Sequence, residues 1–133
     1  MKYPLFYPNI HKKDILKEIL DFILSDNVKS QDILVVISSI AGNPDGLELA
    51  WDFFKNNYNK LEDRFGRTSH AMSNMTKVIC SRFSSDEKIR EIKNFFRDKD
   101  TENIKRAIAQ SLEMIEINRN FVGKTGFNSP KLI

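Results

Sequence analysis

The sequence has little of what would set it apart from ordinary globular proteins. It contains one cysteine, Cys80, so no disulfide can form within the chain. Only four prolines and five glycines occur in 133 residues. Because both residues disfavour helix interiors, their scarcity favours helices. No apolar run approaches the about 18 residues of a membrane span. The first ten residues contain Pro4 and Pro8 and lack the apolar core of a secretory signal. We therefore expect neither a signal nor a membrane segment in this chain, and its localisation stays unknown.

The excess of positive charge is small and spread along the chain. Lys and Arg number 21 against 18 Asp and Glu, which gives a formal net charge of +3. The densest basic spot is His11-Lys12-Lys13. Because nucleic-acid-binding domains concentrate basic residues on one face, nucleic acid is not an expected partner. The length is that of one domain, and 41% hydrophobic residues suffice for a core.

Residues that could carry catalysis or hold a metal are scarce. His11 and His70 are the two histidines, and neither has another His, Cys or Glu at ligand spacing. A zinc site needs three or four such ligands. The glycine-containing stretch 42–46 has the chemistry of a turn and a helix cap, not that of a phosphate-binding loop. We therefore name no catalytic, cofactor-binding or metal-binding residue, and we do not expect this chain to be an enzyme.

Apolar periodicity predicts about six amphipathic helices. They are expected at residues 12–24, from Ser30 to Ala41, from Pro44 to Phe65, at 69–82, from the Ser84 cap to Phe96, and from Thr101 to Val122. Residues 1–11, which carry Tyr3, Phe6 and Tyr7 between prolines, are predicted to form an extended arm. Residues 123–133 have no period and are predicted to form a flexible tail. The helical-repeat domain is thus expected at 12–122.

Helix ends are predicted from capping residues. The expected N-caps are Ser30, Asn43 and Ser84. Pro44 would occupy the first helical position after Asn43, and Glu87 would complete a capping box with Ser84. Gly66 is the expected stop of the third helix.

One segment is ambiguous between helix and strand. Residues 33–37 (ILVVI) are rich in β-branched side chains, which favour strands. No partner strand is evident, and a lone strand cannot satisfy its backbone hydrogen bonds. We therefore predict a buried helix.

The predicted core centres on Trp51. It belongs to an apolar stripe at helical spacing that runs through Leu47, Ala50, Trp51, Phe54, Tyr58, Leu61 and Phe65. Met72 and Met75 are expected to fill the core, and Cys80 to be semi-buried. Adjacent aromatics such as Phe53 and Phe54 cannot point the same way on a helix. Each helix should therefore touch two neighbours, as in a compact bundle or an α-solenoid, and periodicity alone leaves both open.

Several short runs occur in an order that resembles a known module. They are Lys29-Ser30-Gln31-Asp32, Gly42-Asn43-Pro44 with Gly46, Leu49-Ala50-Trp51 with Phe53, Arg64-Phe65-Gly66, Arg82-Phe83-Ser84, Asn94-Phe95-Phe96 and Asn118-Arg119-Asn120-Phe121. The module is the C-terminal helical domain of the zinc aminopeptidases of the puromycin-sensitive, endoplasmic-reticulum and oxytocinase-like group. The resemblance covers residues 12–122. The linkers at 67–68 and 98–100 and the tail after Val122 depart from it.

The resemblance implies an all-α fold, an α-solenoid of stacked antiparallel helix pairs of the armadillo or HEAT kind. In that family the zinc belongs to a catalytic domain with an H-E-x-x-H helix, and this sequence contains no H-E-x-x-H. The C-terminal domain caps the active site, encloses the peptide cavity and contributes to assembly. The implied partners are the preceding domains of a parent aminopeptidase and, indirectly, its peptide substrate.

Two further expectations concern partners. A free-standing helical-repeat adaptor that binds a peptide or protein is the alternative function. Self-association is also expected, because a stack of helix pairs needs polar ends to remain soluble. The surface involved should lie on the first helix, at Ile15, Leu16, Ile19 or Phe22, where the aromatic arm or a second copy would cover it.

Overall fold

The computed structural model describes residues 12–66 and 70–125, and all regular secondary structure in these ranges is α-helical. The helices are α1 (Lys12–Ile23), α2 (Ser30–Ala41), α3 (Leu47–Asn56), α4 (Tyr58–Phe65), α5 (His70–Cys80), α6 (Asp86–Phe96) and α7 (Lys105–Thr125). The all-α prediction is confirmed, and residues 33–37 lie within α2. The predicted arm at 1–11, with His11, and residues 126–133 of the predicted tail lie outside the described residues. α7 continues three residues past the predicted boundary at Val122.

Three predicted N-caps are wrong. Lys29, with extended backbone, precedes α2 and makes no side-chain cap, whereas Ser30 is the first helical residue. Asn43 folds a local turn instead, in which its Oδ1 accepts a hydrogen bond from the Asp45 amide at 2.9 Å, so that α3 begins only at Leu47. Ser85, not Ser84, caps α6, where its hydroxyl accepts from the Lys88 amide at 3.2 Å.

The predicted long third helix is divided into α3 and α4 at Asn57. The Asn57 side-chain amide donates to the Phe53 carbonyl at 2.9 Å, as does the Asn57 backbone amide at 3.0 Å. Asparagine competes with the helix in this way because its short side chain bonds to nearby backbone groups. The apolar stripe nevertheless continues across the break, since Phe54, Tyr58 and Leu61 are all buried. The structure therefore has seven helices in its described part where six were predicted.

Two glycines are required by the backbone. Gly66 ends α4, as predicted, with φ at +86°, a conformation that side chains disfavour. Gly46 lies so close to the end of α2 that a Cβ there would come within 2.3 Å of the Ile40 carbonyl oxygen. In the turn between α2 and α3 the backbone of Gly46 therefore lies too close to Ile40 for any other residue to fit without a shift.

The helices lie in two rows. In one row α1 contacts α3, and α3 reaches α6 through large rings, with the Trp51 and Phe95 centroids 5.5 Å apart. In the other row α2 contacts α5, and α5 contacts α7. The rows are joined by contacts of α1 with α2, of α3 with α2 and α5, and of α6 with α7. Stacked helix pairs and a compact bundle both produce such contacts, so the α-solenoid stays a prediction.

The core lies between the rows and contains the residues that the stripe predicted. Trp51, Met72 and Met75 are fully buried, which confirms their predicted place in the core. Phe53 and Phe54 are both buried, although they point in different directions. Cys80 is fully buried, not semi-buried, and burial raises the pKa of its thiol. A buried thiol that stays protonated is a packing group and not a nucleophile.

Candidate interaction faces

An exposed apolar stripe lies on α1. Leu20 and Ile23 point into the core, whereas Ile19 is 39% exposed and Phe22 is 57% exposed. Residues Ile15, Ile19 and Phe22 follow one another at helical spacing, and Ile15 is half-buried. We call these three residues the α1 stripe. It lies where the sequence placed the exposed surface, on the first helix of the described chain.

A second apolar stripe lies on α7, and sequence analysis missed it. Met114 is 41% exposed, Ile117 is 58% exposed and Phe121 is 39% exposed. They stand at positions i, i+3 and i+7, so the signal was present. It was hidden because α7 carries a second periodic set, including Ala107, Ser111 and Ile115, which is buried against α5 and α6.

An open cleft of about 320 Å³ separates the α2–α3 turn from the α5–α6 turn. Its lining combines apolar and charged side chains, among them Pro44, Leu47, Glu48, Arg82, Phe83 and Lys88. The Lys88 ammonium lies 4.7 Å from the centre of the Phe83 ring and bonds to Glu48 at 2.8 Å. The cleft is therefore lined by positively and negatively charged side chains and by Phe83, and not by a cluster of charges of one sign.

A charged network joins α3 to α6 beneath this cleft. Glu91 accepts from Lys55 at 2.7 Å, from Lys88 at 3.1 Å and from the Trp51 indole N–H. Partial burial acts to raise the pKa of Glu91, but these hydrogen bonds outweigh it and lower the pKa to about 2. Hydrogen bonds to Glu48 and Glu91 raise the pKa of Lys88 against the effect of its own burial. Since Glu91 and Lys88 hold each other in their charged forms, the network braces two helices and does not transfer protons.

The described residues contain no group of three His, Cys, Asp or Glu side chains that could hold a metal ion. His70 is exposed at the first position of α5. Over the same ranges no helix is both long and apolar enough to cross a membrane. The described residues thus present two exposed apolar stripes, a cleft and a charged network.

Comparison with known proteins identifies the family. The family model described as ERAP1-like C-terminal domain matches residues 9–117. The chain belongs to the ERAP1-like C-terminal domain family. This confirms the resemblance drawn from the short runs in the sequence.

Relatives of this ERAP1-like C-terminal domain are aminopeptidases. It is 37% identical to aminopeptidase M1-D of Oryza sativa subsp. japonica over 110 residues, which are 83% of this chain and 12% of that protein. It is 32% identical to endoplasmic reticulum aminopeptidase 1 of Homo sapiens over 100 residues, 74% of this chain and 11% of the relative. Aminopeptidase N of Canis lupus familiaris is 33% identical over 112 residues, 81% of this chain and 12% of the relative. The chain thus spans about an eighth of each relative's length.

Proposed function

We propose that this ERAP1-like C-terminal domain is the non-catalytic helical end of a zinc aminopeptidase, where it caps the active site, encloses the peptide cavity and contributes to assembly. The family match supports the coarse part of the proposal. The zinc would be held by the catalytic domain of the parent, since the described residues here offer no ligand set. The role of this chain is then mechanical, to present surfaces at fixed positions.

The α1 stripe is the observation that carries the proposal. A soluble protein rarely leaves neighbouring large apolar side chains on one helix in water without a partner for them. Phe22 and Ile19 lie at the end of the row that begins with α1, where a further helix of a parent could pack. Full burial of a Phe or Ile side chain contributes about 1.5–3 kcal/mol each. We propose that a helix from the preceding part of the parent covers this stripe.

The cleft favours the alternative function, an adaptor that binds a peptide or protein. Its Arg82, Lys88 and Glu48 side chains offer hydrogen-bonding groups beside the Phe83 ring. Lys88 and Glu48, however, already bond to each other at 2.8 Å, so a ligand would have to compete for them. The aminopeptidase role therefore remains the proposal that the molecule supports best.

The reading frame of the parent separates the two functions. An H-E-x-x-H motif upstream in the same frame is expected, and a frame without one would favour the adaptor. With the parent in hand, Phe22→Ser tests the docking surface. At concentrations where the isolated chain is monomeric, Phe22 is exposed and the free energy of unfolding should change by less than about 0.5 kcal/mol. In the parent the same change should cost about 1.5 kcal/mol or more.

The matched control is Val35→Ser. Val35 is 63% exposed on α2, outside the α1 stripe, and its replacement should have little effect in either form. Equal effects of Phe22→Ser in the chain and the parent would contradict docking at α1. The isolated chain should also hydrolyse no aminoacyl-coumarin substrate, with or without added zinc. Zinc-dependent turnover that co-purifies with the chain and disappears with a chelator would overturn the non-catalytic assignment.

A further inference from the structure

Arg64, at the end of α4, holds the junction between α1 and α2. Its Nε donates to the Ser30 hydroxyl at 3.3 Å, and its Nη1 donates to the carbonyls of Leu24 at 3.3 Å and Ser25 at 3.5 Å. Its Nη2 donates to the Val28 carbonyl. One guanidinium thus binds four oxygens spread from the end of α1 to the start of α2. The five N–H donors of arginine, fixed in one plane, suit such a set of acceptors.

The end of α1 is an electrostatically favourable place for the positive charge of Arg64. The last carbonyls of a helix have no partner within the helix and carry partial negative charge. α1 has no basic residue in its last turn, where Asp21 lies instead. Arg64 therefore supplies, from 40 residues later in the chain, the cation that α1 lacks.

A second clamp holds the turn between α5 and α6 in the same way. The side-chain amide of Asn118, on α7, donates to the Ser81 carbonyl at 2.9 Å and to the Phe83 carbonyl at 3.0 Å. Asn118 is only 7% exposed. In both clamps a polar side chain from a later helix fixes the turn of an earlier helix pair. The two clamps lie in different parts of the stack, so each can serve as a control for the other.

We propose that Arg64 is a positioning residue that fixes the angle of α1 against the rest of the domain, so that loss of Arg64 releases α1 without unfolding the other helices. Besides Arg64, α1 is held by its buried Leu20 and Ile23 and by the partly buried Leu16, whereas Ile19 and Phe22 face outwards. Arg64 thereby sets the place of the α1 stripe. The meaning of that stripe as a docking surface rests on the proposed function, whereas the clamp itself is testable in this chain alone.

The test is amide hydrogen exchange of the full 133-residue chain in native buffer. In Arg64→Met, exchange of the α1 amides and of residues 24–30 should accelerate about tenfold or more, because hydrogen bonds from a charged donor are lost. Exchange in α5, α6 and α7 should not change. Arg64→Lys keeps the charge but not the planar donor set, and should lie between wild type and Arg64→Met.

Asn118→Ala is the matched control. It should accelerate exchange at residues 81–86 and leave α1 unchanged. Uniform acceleration over all helices in Arg64→Met would overturn the proposal, because it would make Arg64 a contributor to global stability. No acceleration in α1 would overturn it as well. If neither Arg64 variant folds, local release is also refuted, since the proposal requires α2 to α7 to remain folded. None of these outcomes bears on whether a parent aminopeptidase exists.

Discussion

Replacement of Trp51 tests how the core is held together. The indole is fully buried and lies between three rings, stacked on Phe54 at 6.1 Å and edge-on to Phe83 at 6.4 Å and Phe95 at 5.5 Å. Its N–H donates to the Glu91 carboxylate. Trp51 therefore connects α3 to α6 through packing and through a hydrogen bond, and the two contributions can be separated by substitution.

Trp51→Ala removes both contributions. Loss of a fully buried large aromatic costs about 3–5 kcal/mol, a large share of a total stability of about 5–15 kcal/mol. Trp51→Phe keeps a ring in the core but loses the hydrogen bond to Glu91. Since Glu91 retains Lys55 and Lys88 and only part of the ring volume is lost, this variant should lose less than Trp51→Ala, about 2–3 kcal/mol. Urea unfolding followed by far-UV circular dichroism measures both, because the chain has no other tryptophan for fluorescence.

Two results would refute this reasoning. A loss below about 1 kcal/mol for Trp51→Ala would mean that the indole is not part of the packing between α3 and α6, since buried aromatics do not cost so little. Equal losses for Trp51→Ala and Trp51→Phe would mean that the hydrogen bond to Glu91, and not ring packing, holds α3 to α6.

Three other predictions concern charge, backbone and surface. Because the pKa of Glu91 is lowered from 4.5 to about 2, its contribution to stability is present above about pH 4.5 and is lost as the pH falls towards 2. In urea titrations, the loss of unfolding free energy on acidification should be smaller for Glu91→Gln than for the wild type. Equal losses in the two proteins would contradict a stabilising role of the ionised Glu91. Gly66→Ala should cost about 1–3 kcal/mol, since φ is +86°. Gly123→Ala, inside α7, should stabilise by about 0.5–1 kcal/mol. A higher melting temperature for Gly66→Ala than for Gly123→Ala would refute both glycine predictions. Light scattering should show self-association of the full chain that Phe22→Ser weakens and Val35→Ser does not. A monomer at high concentration would contradict this.

The helices could be predicted from the sequence because apolar residues recur at helical spacing in each of them. The stripe from Leu47 to Phe65 was correct even though Asn57 breaks the helix beneath it. The helix ends were predicted less accurately than the helices themselves. Ser30 looks like an N-cap, but its hydroxyl is taken by Arg64 from another helix pair. A residue with two available hydrogen-bond partners cannot be assigned from its neighbours in sequence alone.

The candidate faces were predictable to different degrees. The α1 stripe was expected because α1 carries more apolar residues than one buried face needs, and Ile19 and Phe22 are indeed exposed. Periodicity cannot say which of two apolar stripes on α7 faces the core, since both have helical spacing. Only the packing of α5 and α6 decides that Ile115 is buried while Ile117 is exposed.

The two clamps connect four of the seven short runs that carry the family resemblance. Ser30 and Arg64 belong to two different runs, and they meet at the α1–α2 junction. Asn118 belongs to the last run and binds the carbonyl of Phe83, which belongs to the Arg82-Phe83-Ser84 run. These runs therefore meet in pairs at the turns between helices and not at a shared reactive site. Because main-chain carbonyls leave no mark in a sequence, the partners of Arg64 and Asn118 could be found only in the fold. Under the proposed function, which is to present surfaces at fixed positions, these four runs lie where the helices are joined.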